Sequence, residues 1–243
     1  MLEPDTKKIL ITGASSDVAA PLLDHFRNRK GYEFFLVSGS RSPKTHGLKV
    51  LGSLNMNLAQ RENIIELLGT VSEIGVTHFL QFHGGTVSSQ SLEELGLESH
   101  QEDMDLNLFS TQWILKGILP GMKERGYGRI VLMNTASSEH GGGLNSFSYG
   151  MAKHGVDFLV KYVAKYYAKH EILCNGVSPG FIETKIHQEQ FGRSLSQVED
   201  RKALVPLKRA GQAKDVAKAY VHLGFENQFI NGANLVLDGG DFL

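Results

Sequence analysis

The chain has 243 residues, 41% of them hydrophobic and 21% charged, a balance that suits one globular domain, residues 1–243, with a sizeable core. A formal charge of −1 and a pI near 6.8 give no electrostatic footprint for nucleic acid or an anionic membrane, and the ten histidines show no HExxH or comparable spacing for a metal. No apolar run approaches the ~18 residues of a membrane span, Met1-Leu2-Glu3-Pro4-Asp5 is too polar for a signal peptide, and the lone Cys174 cannot form an internal disulfide, so a cytoplasmic setting is expected.

Lys8-Ile9-Leu10-Ile11-Thr12 is a short apolar run of strand type. It leads through Gly13-Ala14-Ser15-Ser16-Asp17 into a helical pattern with Val18, Leu22, Leu23 and Phe26 on one stripe. A buried strand that turns through small residues into a helix offers free backbone N–H groups to a pyrophosphate. Further strand-like runs fall at 33–38, 49–55, 78–83, 129–134, 171–178 and 233–237, alternating with helical patterns. Asp103 to Lys123 is the longest amphipathic run, and Met104, Leu108, Trp113, Leu115 and Leu119 read as its packing residues. The alternation predicts right-handed βαβ units and an α/β fold, a doubly wound, mostly parallel seven-stranded sheet flanked by helices on both faces. Residues 183–204 read as polar and irregular, with Gln188, Glu189, Gln190, Ser194 and Ser196 following the Pro179-Gly180 turn. Such an insert is expected to form a substrate lid.

Tyr149-Gly150-Met151-Ala152-Lys153 carries the clearest chemistry. A tyrosine and a lysine four apart share one helix face, about 5–6 Å apart at Cβ. An ammonium beside a phenol of ordinary pKa about 10 favours phenolate, which predicts proton exchange nearer neutral pH.

Together these elements resemble the short-chain dehydrogenase/reductase family, single-domain standard type, and the likeness runs through nearly the whole chain. Thr12 and Gly13 match the family's Thr-Gly-x-x-x-Gly-x-Gly loop, with Asp17 and Ala19 in place of the later glycines. Asn57 sits where the family holds the adenine with Asp, and its side-chain oxygen can accept the same hydrogen. Phe82-His83-Gly84-Gly85 replaces Asn-Asn-Ala-Gly, and Asn107 matches the helix asparagine of the catalytic tetrad. Gly128-Arg129-Ile130-Val131 opens the fifth strand. Asn175 to Thr184 matches the loop over the nicotinamide, and Pro206-Leu207-Lys208-Arg209 with Asp238-Gly239-Gly240 completes the C-terminal end.

The resemblance implies a Rossmann-type fold and an NADP(H)-dependent oxidoreductase that interconverts a ketone or aldehyde and a secondary alcohol. Tyr149 would be the acid/base, Lys153 would lower its pKa and bond the nicotinamide ribose, and Asn107 would hold a relay water. The fourth member, a hydroxyl, falls on Thr135, fourteen residues before Tyr149, with Ser137 and then Ser138 as alternatives. Cofactor contacts are expected from Gly13, Ser15, Ser16, Asp17, Val18, Ser40, Arg41, Asn57, Leu58, His83, Gly84, Tyr149, Lys153, Pro179, Gly180, Ile182 and Thr184. Ser38-Gly39-Ser40-Arg41-Ser42 has no carboxylate to repel a 2′-phosphate, so NADP(H) is favoured and NAD(H) remains possible. Asp17 would either repel the pyrophosphate or cap the first helix; His83 would be either a pH-sensitive partner or a neutral structural residue. Gln90, Glu139, His140, Asn145 and Gln188 predict a polar substrate. A homotetramer is expected through helices 103–125 and 149–169. The alternatives are a degenerate member that binds nucleotide as a regulatory or scaffold subunit, and a sugar-nucleotide-modifying member.

Overall fold

The computed structural model describes residues 4–184 and 194–241. Its strands β1 (Lys7–Thr12), β2 (Tyr32–Ser38), β3 (Val50–Asn55), β4 (His78–Gln81), β5 (Gly128–Met133), β6 (Ile172–Pro179) and β9 (Asn234–Leu237) form one seven-stranded sheet. The order is β3-β2-β1-β4-β5-β6-β9, and every ladder is parallel. Two further strands of two residues each, β7 (Ile182–Glu183) and β8 (Gly211–Gln212), pair with one another outside it. They are too short to leave a period in the sequence.

Helices cover both faces, so strand residues are buried on either side and read as continuous apolar runs. Leu10, Phe79, Ile130, Leu132 and Cys174 pack under α2 (Arg61–Ile74), α4 (Ser110–Arg125) and α5 (Phe147–Tyr167). The alternate positions Ile9, Ile11, Leu80, Val131 and Val177 pack under α1 (Ala20–His25) and α7 (Ala213–Val221). This is the period-2 alternation of a strand applied to a two-sided core. Strand order reverses between β1 and β4, and ligands of open α/β sheets bind beyond the carboxyl ends of the strands at such a point.

The expected long helix begins at α3 (Leu97–Met104), passes through a π turn (Asp105–Phe109) and continues as α4. Trp113 departs from its packing assignment: it is 41% exposed, with Lys116 Nζ 4.7 Å from its ring centroid. The irregular reading of 183–204 also needs correction, because α6 (Leu195–Leu204) is a regular helix. Its start is a capping box, in which Gln197 N donates to Ser194 Oγ at 3.2 Å and Ser194 N donates to Gln197 Oε1 at 2.8 Å. Gln188, Glu189 and Gln190 lie outside the described residues. A satellite core of Phe181, Val198, Val205 and Ala210 sits beneath α6. Arg201 pairs through both terminal nitrogens with Asp241, and Lys202 bridges Glu183 and Glu199 at 2.8 Å each. Among the described residues no helix is long and apolar enough to cross a membrane, and no cluster of metal-ligating side chains occurs.

Candidate active site

Tyr149 and Lys153 are one turn apart on α5, as their spacing predicts. Lys153 is 1% exposed, donates to Met133 O at the end of β5 (2.9 Å), and holds Nζ 5.7 Å from the Tyr149 ring centroid. From the other side comes the loop after β4. A Cβ added at Gly84 would stand 2.7 Å from Asn107 Oδ1 and 2.9 Å from Lys153 Nζ, so only a glycine, here at φ +136°, lets the three meet.

Asn107 lies in the π turn, a form often found at functional sites. Its amide donates to Asp103 O and Gly85 O (2.9 Å each) and accepts from Gly85 N (3.0 Å). The helix-backbone bond that a mid-helix asparagine can make is thus present, and a clasp on the β4 loop is added to it. Asp103, one turn earlier, is fully buried and accepts from Val87 N (2.8 Å), Ser88 N (3.3 Å) and Ser88 Oγ (3.0 Å). The sequence reasoning missed this carboxylate; its i, i+4 spacing to Asn107 on an amphipathic helix was the signal available.

The electrostatics correct one expectation. Burial, and after it the Asp103 carboxylate, push the Tyr149 phenol up to about 12, while burial draws Lys153 down to about 7. Loss of water penalises both charged forms, and this outweighs the attraction expected between ammonium and phenolate. Tyr149 is therefore a protonated phenol at neutral pH, and Lys153 is the group that titrates there.

Thr135 and Ser137 are half-buried and share one hydrogen bond, Oγ1 to Oγ at 3.0 Å. Ser138 donates to Thr135 O at 2.9 Å inside the short turn Ala136–His140, which commits its hydroxyl proton to the backbone.

The β1–α1 loop approaches the end of β4 closely. A Cβ on Gly13 (φ +73°) would lie 2.4 Å from His83 N, so no larger residue fits. Asp17 does not cap α1: the N-cap residue is Ala19, the helix has no side-chain cap, and in the turn before it Ser16 Oγ accepts from Ala19 N (3.1 Å). Ser15 and Val18 are half-buried in the same loop. Ser40 and Arg41 are exposed just beyond β2. Asn57 is exposed with Oδ1 accepting from Ala59 N (3.0 Å), which leaves a second lone pair, and Leu58 is buried beside it. Gly180 passes so near β9 that a Cβ would be 2.7 Å from Asp238 Cβ; Pro179 ends β6, Ile182 is buried in β7, and Thr184 is half-buried after it.

His83 has both ring nitrogens engaged with protein, Nδ1 with Thr12 Oγ1 (2.6 Å) and Nε2 with Ser110 Oγ (2.9 Å). Burial first, and the Lys153 ammonium second, hold its pKa at about 3. Of the two expectations for His83, the geometry selects the neutral structural residue, and its imidazole has no nitrogen left for a cofactor.

Comparison with known proteins agrees with this layout. A family described as enoyl-(acyl carrier protein) reductase matches residues 41–241. The 3-oxoacyl-(acyl-carrier-protein) reductase of Vibrio cholerae is 27% identical over 247 residues, covering 98% of each chain. The cyclohexanol dehydrogenase of an Acinetobacter species is 34% identical over 172 residues, 70% of this chain and 65% of its own. Among solved structures, an Agrobacterium tumefaciens 3-oxoacyl (acyl-carrier-protein) reductase with NADP bound superposes with a TM-score of 0.85 at 21% identity, over 96% of this chain and 93% of its own. The chain belongs to the short-chain dehydrogenase/reductase family of NAD(P)-dependent oxidoreductases.

Proposed function

We propose that the protein is an NADP(H)-dependent oxidoreductase that interconverts a ketone or aldehyde and a secondary alcohol, with Tyr149 as acid/base. The observation that carries this reading is the convergence of Asn107 and Lys153 on Gly84, one helix turn from Tyr149, at the sheet's switch point. The residues present fit a dinucleotide. Gly13 keeps the loop bare of side chain, Arg41 is exposed beyond β2, and Asn57 retains an acceptor lone pair. Ser15, Ser16, Val18, Ser40, Leu58, Pro179, Gly180, Ile182 and Thr184 are the further positions from which this reading draws cofactor contacts. Bound NADP(H) supplies or takes the hydride.

In the reductive direction the Tyr149 phenol, protonated at neutral pH, donates its hydrogen to the carbonyl oxygen of the substrate, which Thr135 and Ser137 orient. Lys153, with a pKa of about 7, can return a proton to the phenolate, and Asn107 clasps the loop beside it through Gly85. General acid catalysis typically supplies about 10²–10⁴-fold in rate. Tyr149→Phe should lose at least that much in kcat while binding NADPH almost unchanged, whereas a variant that keeps half the wild-type kcat refutes the assignment.

The exposed Glu139 and Asn145 support a polar small-molecule substrate. Asp17 and the Phe82-His83 replacement support the second reading, a nucleotide-binding regulatory subunit. NADPH oxidation against a panel of ketones separates the two. The exposed Trp113, Met151, Phe158, Tyr162 and Tyr166 on α4 and α5 support a homotetramer. Phe242 and Leu243 lie outside the described residues. The single, buried Cys174 is compatible with a cytoplasmic setting.

A further inference from the structure

We propose that His83 is a positioning residue, a tautomer-locked strut that holds the dinucleotide loop at a fixed distance from the helix turn carrying Asn107; this rests on the NADP(H) oxidoreductase reading above. The direction of each bond follows from counting hydrogens. Ser110 has one hydroxyl hydrogen, and Ser110 Oγ donates to Leu106 O at 2.6 Å. Toward His83 it can therefore only accept, so Nε2 carries the ring hydrogen. Nδ1 is then bare and accepts from the Thr12 hydroxyl at 2.6 Å. Thr111 Oγ1, which accepts from Gln81 Nε2 at 2.8 Å, lies 3.4 Å from His83 Nε2 and is the longer and weaker of the two contacts to that nitrogen. The result is one unbroken line, Thr12 to His83 to Ser110 to the Leu106 carbonyl.

Both ends of that line lie beside the reaction machinery. Thr12 immediately precedes Gly13, where a Cβ would collide with the His83 backbone. Leu106 immediately precedes Asn107 in the π turn. The strut is 7% exposed, so its polar atoms have little access to water that could substitute for a lost partner. An asparagine would reach the Nδ1 position but fall short of Ser110. A glutamine reaches the Nε2 position, and a phenylalanine fills the space and bonds neither end.

Two measurements test this. In ¹⁵N–¹H spectra of the wild-type protein, with the His83 signal identified by its loss in His83→Gln, the ring should be protonated at Nε2 and unchanged from pH 5 to pH 8. A ring protonated at Nδ1, or one that titrates in that range, overturns the proposal. In kinetics, His83→Phe should lower kcat/KM about 10- to 100-fold and raise the NADPH dissociation constant, as loss of two buried hydrogen bonds implies. His83→Gln should recover to within about 10-fold of wild type. A purely structural histidine would lower the folded fraction and leave KM, kcat per folded site and the dissociation constant unchanged, and that outcome overturns the proposal. If no ketone is turned over by the wild type, the oxidoreductase reading fails, while the spectra and the NADPH dissociation constants still decide the strut. If His83→Phe does not fold, His83→Gln and the wild-type spectra decide it.

Discussion

Replacing Lys153 with methionine isolates the largest electrostatic cost in the site. The ammonium is 1% exposed, has Met133 O as its hydrogen-bond partner at 2.9 Å, and has its pKa drawn from 10.5 to about 7 by burial. Methionine keeps a flexible unbranched chain and removes the charge. The folded pKa lies below the unfolded one, so between about pH 7 and about pH 10.5 the unfolded chain binds more protons and stability rises with pH. Below pH 7 both states are protonated and the whole penalty is present. The slope reaches about 1.4 kcal/mol per pH unit, and from pH 7 to pH 9 it integrates to roughly 2 kcal/mol. The unfolding free energy of cofactor-free wild type, minus that of Lys153→Met, should therefore climb by about 2 kcal/mol over that interval and stay flat from pH 5 to pH 6. Below pH 7 the variant should be the more stable protein, by up to the ~5 kcal/mol that the shift represents. Urea titrations followed by Trp113 fluorescence at each pH measure the difference directly. Parallel profiles for the two proteins would show that Lys153 keeps an ordinary pKa, and the account of the site's electrostatics would be wrong.

Arg41→Ala should raise KM for NADPH about 10- to 150-fold with little change for NADH, as expected for charge-assisted bonds of roughly 1.5–3 kcal/mol to a 2′-phosphate; equal wild-type efficiency with both cofactors would remove the basis for that expectation. Thr135→Val should cost more activity than Ser137→Ala. Because the two hydroxyls bond each other at 3.0 Å, the double variant should lose less than the sum of the singles, and the reverse ranking would assign the substrate contact to Ser137. Light scattering at micromolar concentration should give the mass of a tetramer, and a monomer would count against the α4–α5 surface as an interface.

Much of this was legible from spacing. The seven runs of strand type became the seven strands of the sheet because strands covered on both faces, such as β1, β2 and β5, read as near-continuous apolar runs, which is a strong local signal. Tyr149 and Lys153 were found because a four-residue separation fixes a shared helix face without any knowledge of the rest of the fold. The misses have a common origin in long-range contacts. Asp17 was open between repelling a pyrophosphate and capping α1, and the cap is not made: the chain takes a further turn, in which Ser16 Oγ accepts from Ala19 N, before α1 starts without a side-chain cap. Lys153 looked like a permanent positive charge, since nothing local reveals that Met133, Gly84 and Asn107 close around it. His83 was ambiguous for the same reason: its partners lie 71 and 27 residues away in the chain. The helix α6 was missed despite a Ser-x-x-Gln start, because its few apolar positions serve a small core, four residues among those described.

That small core separates α6 from the rest of the molecule in how it comes apart. Among the described residues α6 puts Val198 alone into that four-residue cluster and adds the Lys202 pairs at the surface, whereas Ile182 of β7 belongs to the large cluster under α1 and α7. Surface ion pairs contribute little each, so the free energy needed to detach this unit is a fraction of that needed to unfold the protein. Amide hydrogens of Val198 to Leu204 should then exchange with solvent orders of magnitude faster than those of Leu10 or Val131. α6 should open and reclose more often than the sheet unfolds, while the ends of the strands keep their places.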